Sequence, residues 1–518
     1  MTTELDPPDA PAAASAAAVP TVPAGDLIDH VHDRTAAGIA AAVSRRIRSG
    51  ALPPGSRLPT VRDLARELKV SPATVNQAWR ALAAAGAIMA RGRAGTFVGT
   101  PRQPVTVTPA GRYQRLHSHS DNNFRIDLSR GVPDPALLPD LTTALRVLSA
   151  DGAIDDLSAT YLGDAMLPEL EAAVRADWPA RAGRFTVLDG ALDAVDRLLA
   201  VHVRLGDAVI VENPCFPPFL DLLSRLGTRP VPVGMDESGL LPSELAAAVA
   251  AHAPTALLLQ PRAQNPTGAS LTAQRVRELT DVLADAAGVS AVRPLIIEDD
   301  HSAGIAHSPA RSLGARLPAR TVHIRSYSKS HGADLRLAVA GGPPDLLDPV
   351  IERRMLGPGW SSRLLQRVLL HMLTDDAARA TVARARTVYR TRAEALRKAL
   401  SRHDIRIARG DGINLWLPVA DENAAMISLA AAGIKAAPGG PFEVTDHPHN
   451  DHLRLTVAAL HDGEIPELAT HLAIAAAASP AYRRIRRGCA AVTATRPGCA
   501  DRRSLPHTVP KGLESARR

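Results

Sequence analysis

Residues 293–300 read RPLIIEDD, a short β-branched apolar run that stops on two carboxylates, Asp299 and Asp300. DAVIVE (207–212), TALLLQP (255–261) and TVHIRSYS (321–328) repeat the pattern, and helical periodicities separate the runs from Phe124 to Ser479. Strands alternating with helices predict an α/β domain with a mostly parallel sheet and helices on both faces. On such a sheet the chemistry-bearing side chains collect at the strand C-termini. Asp299 stands at one such end. Thirty residues on, the next run ends in Ser328–Lys329–Ser330, and Arg336 follows Lys329 by seven.

The whole chain has 518 residues, room for about three or four domains. Its hydrophobic fraction of 46% and charged fraction of 22% are those of a globular protein. Three cysteines without CxxC spacing exclude a disulfide scaffold and point to a reduced, cytoplasmic compartment. No secretory signal, no membrane-spanning apolar run and no metal site is read from the sequence. The net charge of +7 is unevenly placed. Residues 33–100 hold 11 Lys/Arg against 3 Asp/Glu, residues 480–518 hold 10 against 2, and the remainder is acidic. A basic module near one end suits a polyanionic partner, because Lys and Arg displace counterions from phosphates.

Composition sets the expected boundaries. Residues 1–32 are Ala/Pro-rich and read as disordered, 101–123 as a polar linker and 480–518 as a flexible basic tail. Between them, residues 35–49 predict an amphipathic helix. Thr60 predicts the cap of a second helix running through Leu68. Ser71 caps a third with Pro72 at its first position. In that third helix Val75, Ala78, Trp79 and Leu82 share one face, which leaves Thr74, Asn76, Gln77 and Arg80 on outward or flanking faces. Asn and Gln pair with adenine edges, Arg with guanine or phosphate. Ile88–Ala90, a Gly-bearing basic tip and Thr96–Val98 complete a hairpin.

The run GSRLPTVRDLARELKVSPATVNQAWRALAAAGAIMARGRAGTFV (55–98) resembles the winged helix-turn-helix of the GntR family. The resemblance implies a double-stranded DNA operator as partner. It places the family's contacts on Arg57, Thr60, Arg62, Thr74, Asn76, Gln77, Arg93 and Gly95. Ser71, Arg80 and Thr96 complete the expected DNA-binding set. Pro72 departs from the basic residue of many members.

The larger module, expected over 124–479, resembles the fold-type I (class I/II) aminotransferases, which carry pyridoxal 5'-phosphate. That cofactor needs a lysine for its aldehyde, a carboxylate on its pyridine nitrogen, an aromatic on its ring, and cations, hydroxyls and a helix N-terminus for its phosphate. The resemblance assigns the Schiff-base role to Lys329 and the pyridinium partner to Asp299. It gives O3′ contact to Asn265 and ring stacking to Phe216, and phosphate contacts to Gly190, Ala191, Leu192, Ser326, Ser328 and Arg336. Tyr161 matches a tyrosine that reaches the phosphate across a dimer interface. Gly131 and Arg454 match the family's α-carboxylate site.

Two departures stand out. His301 replaces the usual O3′ tyrosine, with a charge expected to change near neutral pH. Asp189 replaces a phosphate-facing Ser or Thr and would repel the phosphate unless it turns away.

Together the two modules resemble the MocR-type regulators. This implies a homodimeric, head-to-tail, pyridoxal-phosphate-dependent transcription factor, each winged helix near the partner's large domain, that senses the cofactor or a small amino compound through Lys329. An active aminotransferase with a DNA-binding arm, and a regulator whose pocket no longer binds the cofactor, are the alternatives.

Overall fold

The computed structural model describes residues 21–31, 33–48, 51–84, 87–98, 112, 124–150, 164–290, 293–445 and 451–478. Residues 1–20, most of the linker, the basic tail and Tyr161 lie outside the described residues. The disorder expected through residue 32 does not hold over 21–31, where Gly25–Ile28 form a short helix and Leu27 and Val31 are buried in the winged-helix core.

Three helices, Ala36–Arg48, Val61–Leu68 and Pro72–Ala84, and a hairpin of β1 (Ile88–Ala90) and β2 (Thr96–Val98) form the N-terminal module. Thr60 caps the second helix by accepting from Asp63 N, and Ser71 Oγ accepts from Thr74 N at 3.1 Å. Val75, Ala78, Trp79 and Leu82 are all buried, so the apolar stripe faces the core as its spacing requires.

The larger module is built on a sheet of eight described strands: β4 (Arg184–Leu188), β5 (Ala208–Asn213), β6 (Arg229–Asp236), β7 (Gly239–Leu240), β8 (Ala256–Leu259), β9 (Leu295–Asp300), β10 (Thr321–Ser326) and β11 (Ala338–Gly342). Their order is β4-β11-β10-β9-β8-β5-β6-β7, parallel from β10 through β6. Val209, Val211 and Ile297 enter one apolar cluster while Ile210 and Ile296 enter another. Both faces are therefore covered, which is why these strands read as unbroken apolar runs.

A smaller unit follows. β12 (Asn414–Pro418), β14 (Ala437–Pro438) and β15 (His452–Thr456) form a sheet, and β3 (Ile126–Asp127) pairs with β13 (Ile434–Lys435). Helix Glu422–Ala431 has two apolar faces. Ala425 and Leu429 join the core that holds Leu453 and Leu455 of β15, whereas Ile427 and Ala430 join the core of the winged helix. The winged helix thus packs on the small unit of its own chain. The reason is the second apolar stripe on this helix.

A charged network is buried in the sheet on the face opposite Asp299. Arg262 pairs with Asp300 through Nε and Nη2, at 2.8 and 2.7 Å. His323 Nδ1 meets Glu298 Oε2 at 2.9 Å, and Ser312 and the Leu313 N–H also donate to Glu298. Burial alone would lower the His323 pKa, but Asp300 at 3.6 Å and the Glu298 hydrogen bond raise it above 6.5. Asp300, against burial, is held far below its usual range by His323 and Arg262. A raised histidine stabilises fully below its unfolded pKa, and that contribution is lost as pH rises through the folded value. A depressed carboxylate contributes above its unfolded value, and its share is lost only as pH falls through the folded one. The melting temperature should therefore decline on the alkaline side of pH 6.5, and the decline should vanish in His323→Gln. An identical slope in the variant would remove His323 from this account.

Candidate cofactor site and DNA-binding face

β9 and β10 run parallel with Ile324 opposite Asp299, so the carboxylate ends its strand beside the turn into helix Ser328–His331. Asp299 Oδ2 accepts from Gln260 Nε2 at 2.8 Å, while Oδ1 is buried with no hydrogen-bond partner. Burial lifts this carboxyl to about 6, opposed by Gln260 and Lys329. Lys329 sits partly buried with Nζ 2.7 Å from His301 Nδ1. Desolvation brings its amine down to about 8, with Arg454 adding and Asp299 opposing. A lysine so tuned is partly neutral near physiological pH, as a nucleophile must be.

His301 corrects one expectation. Its Nε2 faces the Ala263 carbonyl at 2.9 Å, which calls for the proton there, so Nδ1 accepts from Lys329. Burial, then Lys329, hold the ring well below the usual histidine range. It stays neutral across neutral pH, and it holds the lysine where a family tyrosine donates to the ring oxygen.

Asp189 settles the second departure. Its carboxylate takes Arg354 Nη2 at 2.9 Å and Ser361 Oγ at 2.6 Å. It is turned toward these groups and neutralised by Arg354. Gly190, at φ +103°, caps helix Ala191–His202. The first N–H groups of a helix have no acceptor within it, and here they belong to Ala191 and Leu192. Arg336 Nη2 donates to Asp189 O at 2.9 Å, and a Cβ at position 190 would lie 3.0 Å from that nitrogen. Glycine lets the guanidinium close over the helix end. Ser326 is buried, its Oγ near Ser328 N. Phe216 caps helix Pro217–Arg225, edge-on to Phe219. Buried Asn265 receives Asn414 Nδ2 on Oδ1 at 3.3 Å, and its N–H donates to Gln260 Oε1 at 2.8 Å.

Arg454 lies on β15, almost fully buried, with Nη2 on the Ser129 carbonyl and Nε without a partner. Burial lowers it to about 10, and Asp127 opposes this. A Cβ on Gly131 would lie 2.9 Å from Arg454 Nη1, so only glycine lets the guanidinium lie flush. A buried arginine with an idle donor suits an incoming carboxylate.

These residues fit pyridoxal phosphate. Asp299 Oδ1 is the orphaned acceptor that a protonated pyridine nitrogen satisfies, and Arg336 with the helix end forms a cradle that a Cβ would fill. Sequence reading missed Gln260, Asn414, Arg354 and Ser361, which position Asp299, Asn265 and Asp189. Gln260 ends the TALLLQP run and was open to the strand-end rule; the other three carry no local signal.

On the winged helix, Arg57, Thr60, Arg62, Ser71, Asn76, Gln77 and Arg80 are exposed, and Thr74, Gly95 and Thr96 are half-buried. Arg93 falls in the tip turn Gly92–Ala94. Gly95, at φ +109°, leaves room for Arg57, whose Nε would sit 2.9 Å from a Cβ there. Gln77 is otherwise engaged: its Nε2 donates to the Ala431 carbonyl at 2.7 Å, so here the expected base reader bonds the small unit.

Comparison with known proteins joins the two halves. Residues 35–98 match the family of bacterial regulatory proteins of the gntR family, and residues 126–472 match aminotransferase class I and II. The vitamin B6 salvage pathway transcriptional repressor PtsJ of Salmonella typhimurium is 35% identical over 452 residues, which covers 85% of this chain and 98% of that protein. The chain belongs to the MocR-type GntR regulators.

This regulator also resembles the pyridoxine biosynthesis transcriptional regulator PdxR of Corynebacterium glutamicum, at 28% identity over 68% of this chain and 75% of that one. Its larger module shares the fold of the α-aminoadipate aminotransferase LysN of Thermus thermophilus, with a TM-score of 0.62 and 23% identity over 71% of this chain and 96% of the other. The MocR-type regulator is therefore a transcription regulator with a DNA-binding winged helix and an aminotransferase-type, pyridoxal-phosphate-type fold. Among its described residues no helix is long and apolar enough to cross a membrane.

Proposed function

We propose that this regulator binds pyridoxal phosphate on Lys329 and changes its grip on operator DNA when the cofactor, or a small amino compound captured through it, occupies the site. The observation that carries this reading is helix Glu422–Ala431, which packs Ala425 and Leu429 against the Arg454 strand's core and Ile427 against the winged helix. Bound there, the cofactor supplies an electrophilic aldehyde and an electron-withdrawing ring. The chain's own groups do the rest. Asp299 holds the ring nitrogen, Asn265 the ring oxygen and Phe216 one ring face. Arg336, Ser326, Ser328 and the N–H groups of Ala191 and Leu192 hold the phosphate. Lys329 presents its amine, and Arg454 beside Gly131 takes the effector's carboxylate.

Closure of the small unit on an effector moves the winged helix with it. A ligand does this only by its differential affinity for the two arrangements. The working modules are residues 33–100 and 124–479, joined by 101–123, in a head-to-tail homodimer acting in the cytoplasm. Tyr161 of this reading serves the phosphate across that dimer. Turnover as a transaminase is a second reading favoured by buried, idle Arg454, and product formation from amino and keto acids that Lys329→Ala abolishes would establish it.

The test is a titration of the full chain against a DNA fragment selected from a random pool, without and with pyridoxal phosphate, then with added amino acids. A cofactor-dependent change in affinity supports the reading; identical curves overturn it. In the same assay Arg62→Ala should weaken binding to every sequence and reduce the salt slope by about 0.9, one phosphate's worth. An unchanged slope removes Arg62 from the DNA contact.

A further inference from the structure

Behind the lysine helix lies a second cavity, of about 380 Å³, lined by Arg262, Arg325, Arg379 and Arg386 together with Tyr327 and His331. It is separate from the cofactor site: Arg325 shares its face of β10 with His323, opposite the face of Asp299. Its volume is that of a small-ligand site.

Of the four guanidinium groups on its wall, three meet carboxylates and Arg386 does not. Arg262 is spent on Asp300. Arg325 gives Nη1 to Asp177 Oδ1 at 2.6 Å, and Asp177 is the one carboxylate on the wall, three-quarters exposed. Arg386 gives Nε and Nη2 to the Gly304 carbonyl, a neutral acceptor. Arg379 stands at the mouth, largely exposed, beside Asp376. Deeper in, the Tyr327 hydroxyl lies against Arg325, yet neither Tyr327 Oη nor Arg325 Nε completes a hydrogen bond, and both residues are more than nine-tenths buried. Burial brings His331 down to about 4, so it adds a neutral ring. Two idle buried donors, the uncompensated guanidinium of Arg386 and an apolar remainder that includes Met372 and Val382 make a receptor for a tetrahedral anion with a small organic body.

We propose that this cavity is a second ligand site, for a small phosphate monoester, set against the far side of the helix that carries Lys329. Ser330 and His331 form part of its wall, so occupancy braces that helix from behind. The site stands on its own residues whether or not Lys329 binds pyridoxal phosphate.

The test is calorimetric titration of the full chain with inorganic phosphate and with phenyl phosphate. The wild type is compared with Arg379→Met/Arg386→Met, which empties this cavity of its least committed cations, and with Arg336→Met, which disables the cofactor's phosphate cradle. The expected result is phenyl phosphate binding that survives Arg336→Met and weakens roughly tenfold or more in the double variant. An Arg386→Lys variant, which keeps the charge, should recover part of the affinity. Binding lost in Arg336→Met but kept in the double variant would place the anion in the cofactor site and overturn the proposal. So would no binding to the wild type, or inorganic phosphate binding as tightly as phenyl phosphate. Failure of pyridoxal phosphate to label Lys329 bears on the function proposed above and leaves these arms readable.

Discussion

Lys329→Ala protein, mixed with pyridoxal phosphate and reduced with borohydride, should carry no covalent label, whereas the wild type should be labelled on the peptide containing Lys329. Among the described residues no other lysine combines a strand-end position, the His301 bond and desolvation beside Asp299. The variant should fold, because it removes an amine that burial already disfavours in its charged form. Its affinity for a selected DNA fragment should equal that of the cofactor-free wild type and no longer respond to the cofactor. Attachment to the wild type should speed up as pH rises and level off above about 8, since the lowered pKa makes the neutral amine available from that point. A label that persists in the variant, or attachment indifferent to pH through that range, would dismiss Lys329 as the attachment point.

The second large effect is expected at the seam between the modules. Ile427, 5% exposed, is the small unit's buried contribution to the winged-helix core, beside the partly buried Ala430. Ile427→Glu puts a carboxylate into that apolar contact, at a cost of several kcal/mol if the contact stays closed. Opening the seam avoids the cost. The large module should keep its melting temperature, the chain between the modules should become more sensitive to protease, and DNA should still bind but ignore the cofactor. The milder Gln77→Ala removes one hydrogen bond across the seam, about 0.5–1.5 kcal/mol, and should loosen it in the same direction. Retention of full cofactor response by Ile427→Glu would show that the signal travels elsewhere.

Gln77 also marks where local reading ends. Its outward position on the third helix follows from the spacing of Val75, Ala78, Trp79 and Leu82, and that spacing is a property of the chain. That its amide meets Ala431, 354 residues away, is not. Likewise the pairing of Asp299 and Lys329 was legible because both close strand-like runs, and the ends of parallel strands meet on one sheet edge. The neutrality of His301 was not, since it rests on burial and on the charge of Lys329 beside it. Asp189 read as an obstacle until Arg354 and Ser361 came to its carboxylate from a helix and loop far along the chain.

By itself the sequence determined the two modules, their order, the helix caps, the apolar faces and the residues at the strand ends. These depend on periodicity and on interactions between near neighbours, which any stretch of chain carries with it. Tertiary structure alone decided which way Asp189 points, what proton His301 keeps, how the winged helix seats on helix Glu422–Ala431, and that four arginines from three separate parts of the chain line one cavity. Each of these depends on desolvation and on partners distant in sequence, and both come into being only when the chain is packed.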